Sequence, residues 1–126
     1  MKIGVSSTGQ AISSSADPRF GRCSHFAIYD TNDNSYRFIS NNAQQAGGGA
    51  GIAAAQQMID EDVEIILTGN MGPNAYNVIK GNSIKVFRIG AATIEKAIQL
   101  FREAKLEEIS EAGAAHFGMG RRWGGI

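Results

Sequence analysis

The chain has a single cysteine, Cys23, placed two residues before one of its two histidines in "DPRFGRCSHF" (17–26). In an extended stretch, side chains two apart project to the same side, so Cys23 and His25 would present sulfur and imidazole donors together. Both suit a borderline-soft metal. The second histidine, His116, lies in "HFGMGRRW" (116–123), again beside Phe, Gly and Arg, and adds a donor if the tail folds back. A closed tetrahedral site needs four donors, so the pair alone is incomplete. The structural alternative stands beside it: a lone cysteine is commonly a small buried hydrophobe, and a histidine at a strand start is satisfied by one backbone hydrogen bond. Arg19 and Arg22 share the first segment, and Arg121 and Arg122 stand in the tail, so local positive patches are expected.

Two glycine-rich turns have the composition of anion-binding loops. "AGGGAG" (46–51) places Gly48, Gly49 and Gly51 just before a helical pattern, where unpaired backbone N–H groups carry partial positive charge. Residues 49–54 match the G-x-G-x-x-A dinucleotide fingerprint. The context differs, because polar "NNAQQA" separates them from the preceding strand and no acidic strand end follows about twenty residues later. Close helix–sheet packing through small residues explains the same glycines equally well. "TGNMGPN" (68–74) supplies Gly69, Asn70, Met71 and Gly72 at the end of an apolar run, where ligands gather in open α/β sheets. Met71 is either a soft contact there or simply an exposed turn residue.

Catalytic signatures are missing. There is no G-x-S-x-G elbow and no H-E-x-x-H, and Asp17, Asp30, Asp60 and Asp62 are scattered over separate elements. No enzymatic activity is expected.

The elements that must position these residues follow from hydrophobic periodicity. "KIGVS" (2–6) reads as a buried strand, and "HFAIYD" (25–30) and "SYRFIS" (35–40) as a hairpin around "TNDN". A helix follows the glycines, with Ile52, Ala55 and Ile59 on one face. "VEIILTG" (63–69) is a strand covered on both faces. Pro73 opens the next helix and Gly81 stops it, "IKVFRIG" (84–90) is a strand, and Thr93 caps a helix with the stripe Ile94, Ala97, Ile98 and Phe101. The order β-β-β-α-β-α-β-α predicts an α/β fold with a five-stranded mixed sheet and helices on its faces. Residues 1–107 read as one domain, and 108–126 as a flexible tail with five glycines in its last fourteen residues.

Composition agrees. The 126 residues are 43% hydrophobic, and twelve basic residues balance twelve acidic ones, so no global field recruits nucleic acid or membrane. The one cysteine rules out an internal disulfide, and no run resembles a signal peptide or a membrane span. The expectation is a soluble cytoplasmic protein, monomeric or weakly self-associating.

Together, "DPRFGRCSHFAIYD", "AGGGAGIAAAQQMI", "VEIILTGNMGPNAYNVI" and "IKVFR" resemble the dinitrogenase iron–molybdenum cofactor biosynthesis family, whose members include NifX- and NafY-like carriers and the domain appended to NifB. The resemblance covers about residues 1 to 105 and implies a three-layer, ribonuclease H-like fold. It implies a non-catalytic carrier of an anionic metal–sulfur cluster containing iron or molybdenum, with copper in some small relatives, exchanging it with donor or acceptor proteins. The matching positions are Arg19, Phe20, Gly21 and Arg22, with Cys23 and His25 beyond them and the turns 47–51 and 69–72. Two other readings stay open: a nucleotide- or phosphate-binding regulator using "AGGGAG", and a nucleic-acid-acting protein on the same scaffold.

Overall fold

The computed structural model describes residues 1–45 and 49–110. Six strands form one sheet: β1 (Lys2–Ser7), β2 (His25–Asp30), β3 (Ser35–Ser40), β4 (Ile65–Thr68), β5 (Lys85–Arg88) and β6 (Glu107–Glu108). The helices are α1 (Ala50–Asp60), α2 (Pro73–Gly81) and α3 (Ile94–Arg102), and a short 3-10 turn spans Asn42–Gln45. Across the sheet the order is β3-β2-β1-β4-β5-β6. β1, β4 and β5 run parallel, while β2, β3 and β6 are antiparallel to their neighbours.

Alternation along the strands divides the core in two, because successive side chains point to opposite faces. Phe26, Ile28, Ile66 and Val86 pack under α1 and α2 with Ala54, Ala55, Met58, Tyr76 and Ile79. Ile3, Val5, Ala27, Tyr29 and Leu67 pack on the other face against Ile94, Ala97 and Ile98 of α3. The sheet is thus sandwiched, as expected of an α/β fold. Gly4 permits the close approach of α1, since a Cβ there would lie 2.8 Å from the Met58 sulfur.

Two expectations need correction. The sheet has six strands, not five. The sixth is a pair of exposed glutamates with no apolar pattern to reveal it, formed where the chain turns back after α3. Beyond it the Ile109 N–H donates to the Val86 carbonyl at 2.7 Å and its side chain is buried. The buried face of α1 is Ala50, Ala54, Ala55 and Met58, whereas Ile52 is exposed. Small alanines let the helix sit close to the sheet and leave the larger Ile52 outside.

The segment between β1 and β2 is stitched down along its length. The Thr8 N–H donates to Ser15 O and the Asp17 N–H to Ser6 O, while Arg19 bridges to Asn70 in parallel fashion. No helix among the described residues is long and apolar enough to cross a membrane.

Candidate functional site

The carboxyl ends of β1 and β4 feed the first loop and the turn into α2. Between loop 17–24 and the first turns of α1 and α2 lies a cavity of about 330 Å³. Phe20, Gly21 and Arg22 form its loop wall, residues 49–52 its α1 wall, and Asn70 with residues 72–75 its α2 wall. Phe20 is buried and packs against Phe26 with ring centroids 5.4 Å apart and planes tilted by 55°, which gives the loop wall a fixed base.

The walls meet through the absence of side chains. A Cβ on Gly21 would lie 3.0 Å from Gly51 N and 3.1 Å from Gly51 Cα, and one on Gly51 would lie 3.2 Å from the Ala75 Cβ. The loop therefore rests on the α1 backbone, and α1 meets α2 through the Ala75 methyl group. Gly49, with φ 85, turns the chain into α1 in a conformation that favours glycine.

Helix N-termini supply the chemistry. Neither α1 nor α2 has a side-chain cap, and neither carries an acidic residue in its first turn. Their hydrogen-bond ladders begin with Ala53 N–H to Gly49 O and Tyr76 N–H to Gly72 O. The N–H groups of Ala50, Gly51, Asn74 and Ala75 precede those ladders in the cavity walls. α3 contrasts with both. Thr93 caps it by accepting from Lys96 N–H at 3.1 Å, and the Ile94 and Glu95 N–H groups donate to Ser14 O and Ile12 O. The excursion 8–16 thus accepts from the first amides of α3, while the first residues of α1 and α2 line the cavity without a side-chain cap. Each terminus contributes roughly half a positive charge. Arg22 adds a full one, and among the described residues no acidic side chain lines the cavity.

The other expected site residues fall elsewhere. The Arg19 guanidinium lies outside the cavity lining, paired through Nε and Nη2 with both oxygens of Asp17 at 3.0 Å. Cys23 is fully buried in the core under α1 and α2, its thiol donating to Phe20 O at 3.3 Å. Burial pushes that thiol's pKa up to about 12, which opposes thiolate ligation. His25 is half-buried at the start of β2, with Nδ1 2.9 Å from Ser24 Oγ. Met71 is a core residue and not a turn contact, and Gly69 lies against Pro18, where a Cβ would have 2.7 Å of space. Neither Met71 nor Gly69 lines the cavity. Among the described residues, no group of three or more His, Cys, Asp or Glu side chains could hold a metal ion. Gly48 and His116 lie outside the described residues. Gly49, Gly51, Asn70 and Gly72, together with Phe20, Gly21 and Arg22, are brought together.

Sequence reasoning passes over Asn74 and Ala75, although a proline at the first position of a helix implies that the next two amides lack partners. It also passes over two buried polar residues, Asn41 and Asp17 as a structural group. The Asp17 carboxylate is 2% exposed and accepts from the Arg19 backbone N–H at 2.9 Å as well as its side chain. Burial pushes its pKa up, but the Arg19 hydrogen bonds and charge outweigh that and hold it below the ordinary value. A depressed folded-state pKa stabilises the fold above the unfolded value of about 3.9, and this contribution is lost as pH falls through the lower folded value. Urea midpoints of the parent are therefore expected to fall more steeply between about pH 5 and pH 2 than those of Asp17→Asn, which lacks the titrating group. Parallel profiles would contradict the assignment.

Comparison with known proteins points one way. Residues 1–104 match the family described as dinitrogenase iron-molybdenum cofactor. An uncharacterized protein of Methanocaldococcus jannaschii is 34% identical over 94 residues, covering 72% of this chain and 80% of that one. The apo form of the orange protein from Desulfovibrio gigas superposes with a TM-score of 0.85 at 29% identity, over 89% of this chain and 95% of that one. An NMR structure of a Thermotoga protein assigned to the DUF35 family gives 0.79 at 30% identity, over 89% and 96%.

Proposed function

The chain belongs to the dinitrogenase iron-molybdenum cofactor family, and from that membership and the cavity we propose that it is a non-catalytic, cytoplasmic carrier of an anionic metal–sulfur cluster. One observation carries the reading: two uncapped helix N-termini and Arg22 converge on a cavity that no acidic side chain lines among the described residues. Such a site suits a preformed anion that brings its own sulfide. The protein contributes N–H donors and positive charge, and no metal–protein bond is required. Each charge-assisted contact is worth about 1.5–3 kcal/mol. Several together hold a cargo that an acceptor protein can still remove. The family description supports iron and molybdenum as its metals. The Desulfovibrio relative supports a coloured, removable group, since it is called orange and exists in an apo form. Copper is a further candidate constituent.

The layering is read as ribonuclease H-like, without its chemistry. A two-metal nuclease centre uses converging carboxylates, and the described residues offer no such group. A nucleotide would also meet phosphate-binding amides here. Dinucleotide sites add an acidic residue for the ribose, and none lines this cavity among the described residues.

The test is a variant combining Cys23→Ala with His25→Ala. Neither side chain lines the cavity, so the variant should bind copper–tetrathiomolybdate with parent stoichiometry after anaerobic gel filtration. Loss of the colour from the folded variant would return the cluster to a directly ligated site.

A further inference from the structure

We propose that Asn41, which does not line the cavity, fixes its width by clipping the loop wall to the α1 wall. The inference rests on the carrier reading above for its functional meaning. Asn41 is 4% exposed and uses every polar group of its side chain. Its Nδ2 donates to Cys23 O at 2.8 Å and to Gly21 O at 3.2 Å, and its Oδ1 accepts from Ala43 N–H at 3.0 Å. Its own N–H donates to Ser24 O at 3.0 Å. The loop that presents Phe20, Gly21 and Arg22 is therefore bonded at three carbonyls to one residue.

Gln57 makes the matching bond from α1. Its Nε2 donates to Ser40 O at 2.6 Å, and its Oε1 accepts from Asn42 N–H at 3.2 Å. Residues 40–43 thus stand between helix and loop and are bonded to both. Gly21, held on one side by Asn41, touches the Gly51 backbone on the other. Among the described residues the remaining buried polar side chains, Ser6, Ser7, Asp17 and Thr68, bond to one another or to segment 9–19. None of them joins these two walls. A carboxylate at position 41 would keep the shape but set an acceptor against the Gly21 and Cys23 carbonyls.

The test compares Asn41→Asp and Gln57→Ala with Ile98→Val, a change under α3 that lowers stability away from the cavity. Two quantities are read: the release rate of copper–tetrathiomolybdate from loaded protein, and the amide NMR spectrum of cargo-free protein. Asn41→Asp should release the probe at least about tenfold faster, the scale of one lost buried hydrogen bond. The Gly21, Ala50 and Gly51 resonances should shift while those of α3 do not, and Gln57→Ala should act in the same direction more weakly. Release no faster than from an Ile98→Val protein of equal thermal stability, or unmoved cavity resonances, would overturn the proposal. Should Asn41→Asp fail to fold, the same two quantities measured on Gln57→Ala support or overturn it in the same way. If the parent retains no probe while the resonances still shift, the carrier reading falls and the positioning role stands.

Discussion

Exchanging Arg22 for glutamate is expected to weaken binding of copper–tetrathiomolybdate by roughly 10²–10⁴-fold while leaving thermal unfolding nearly unchanged. The size follows from the charge. Arg22 is the one charged side chain among the described residues that line the cavity. Removing its charge-assisted contact costs about 1.5–3 kcal/mol, and placing an anion there adds repulsion of similar size. Each 1.4 kcal/mol is tenfold in Kd. Stability should hold because the residue is exposed at the rim, outside the core. Arg19→Glu is the comparison that makes the test specific. Arg19 is paired with Asp17 away from the cavity lining, so its reversal should lower stability and affect binding much less. Titration and circular dichroism on both variants separate the two arginines. Equal losses of affinity would mean that charge near the loop matters and the cavity does not.

Gly21→Ala should damage binding and fold together. The new Cβ would meet Gly51 N at 3.0 Å, Gly51 Cα at 3.1 Å and the Ala50 carbonyl carbon at 3.3 Å. All three are backbone atoms at the start of α1, so no side chain can rotate away. The loop is also held from behind by Asn41 and by the Arg19–Asn70 bridge. Overpacking of this kind costs about 1–3 kcal/mol, enough to lower Tm by several degrees. The methyl group would also crowd the Gly51 N–H, and affinity should fall by about ten- to a hundredfold for that one charge-assisted contact. Gly72→Ala provides the contrast, since its Cβ would have nothing within 4 Å and its φ of −68 is ordinary. Its Tm should stay close to the parent's. A Gly21→Ala protein as stable as Gly72→Ala would show that the loop does not rest on α1.

Much of the fold was legible because its signals are local. The hairpin 25–40, the strands 65–68 and 85–88, and the Thr93 cap each follow from spacing or from one side chain's chemistry. The site was legible in its turns, because glycines before a helix and Pro73 at a helix start imply unpaired amides. What was not legible needs the third dimension. Cys23 and His25 share a side only if both lie in a strand, but Cys23 precedes β2 and packs into the core. Arg19 and Arg22 look alike in sequence, but Arg22 lines the cavity while Arg19 bonds Asp17 outside the lining. Asn41 sits in a polar run whose neighbours give no hint that one amide is buried. The strand at 107–108 carries no periodicity and is held in place by its pairing with β5.

The most direct measurement is an anaerobic titration of the cargo-free protein with preformed copper–tetrathiomolybdate, followed by amide NMR. Stoichiometric colour on the protein should be accompanied by shifts concentrated at Gly21, Ala50, Gly51, Asn74 and Ala75, with the Glu95 and Lys96 amides of α3 unmoved. Colour with shifts centred on His25, or no retained colour at all, would contradict a carrier that grips its cargo through the N-termini of α1 and α2.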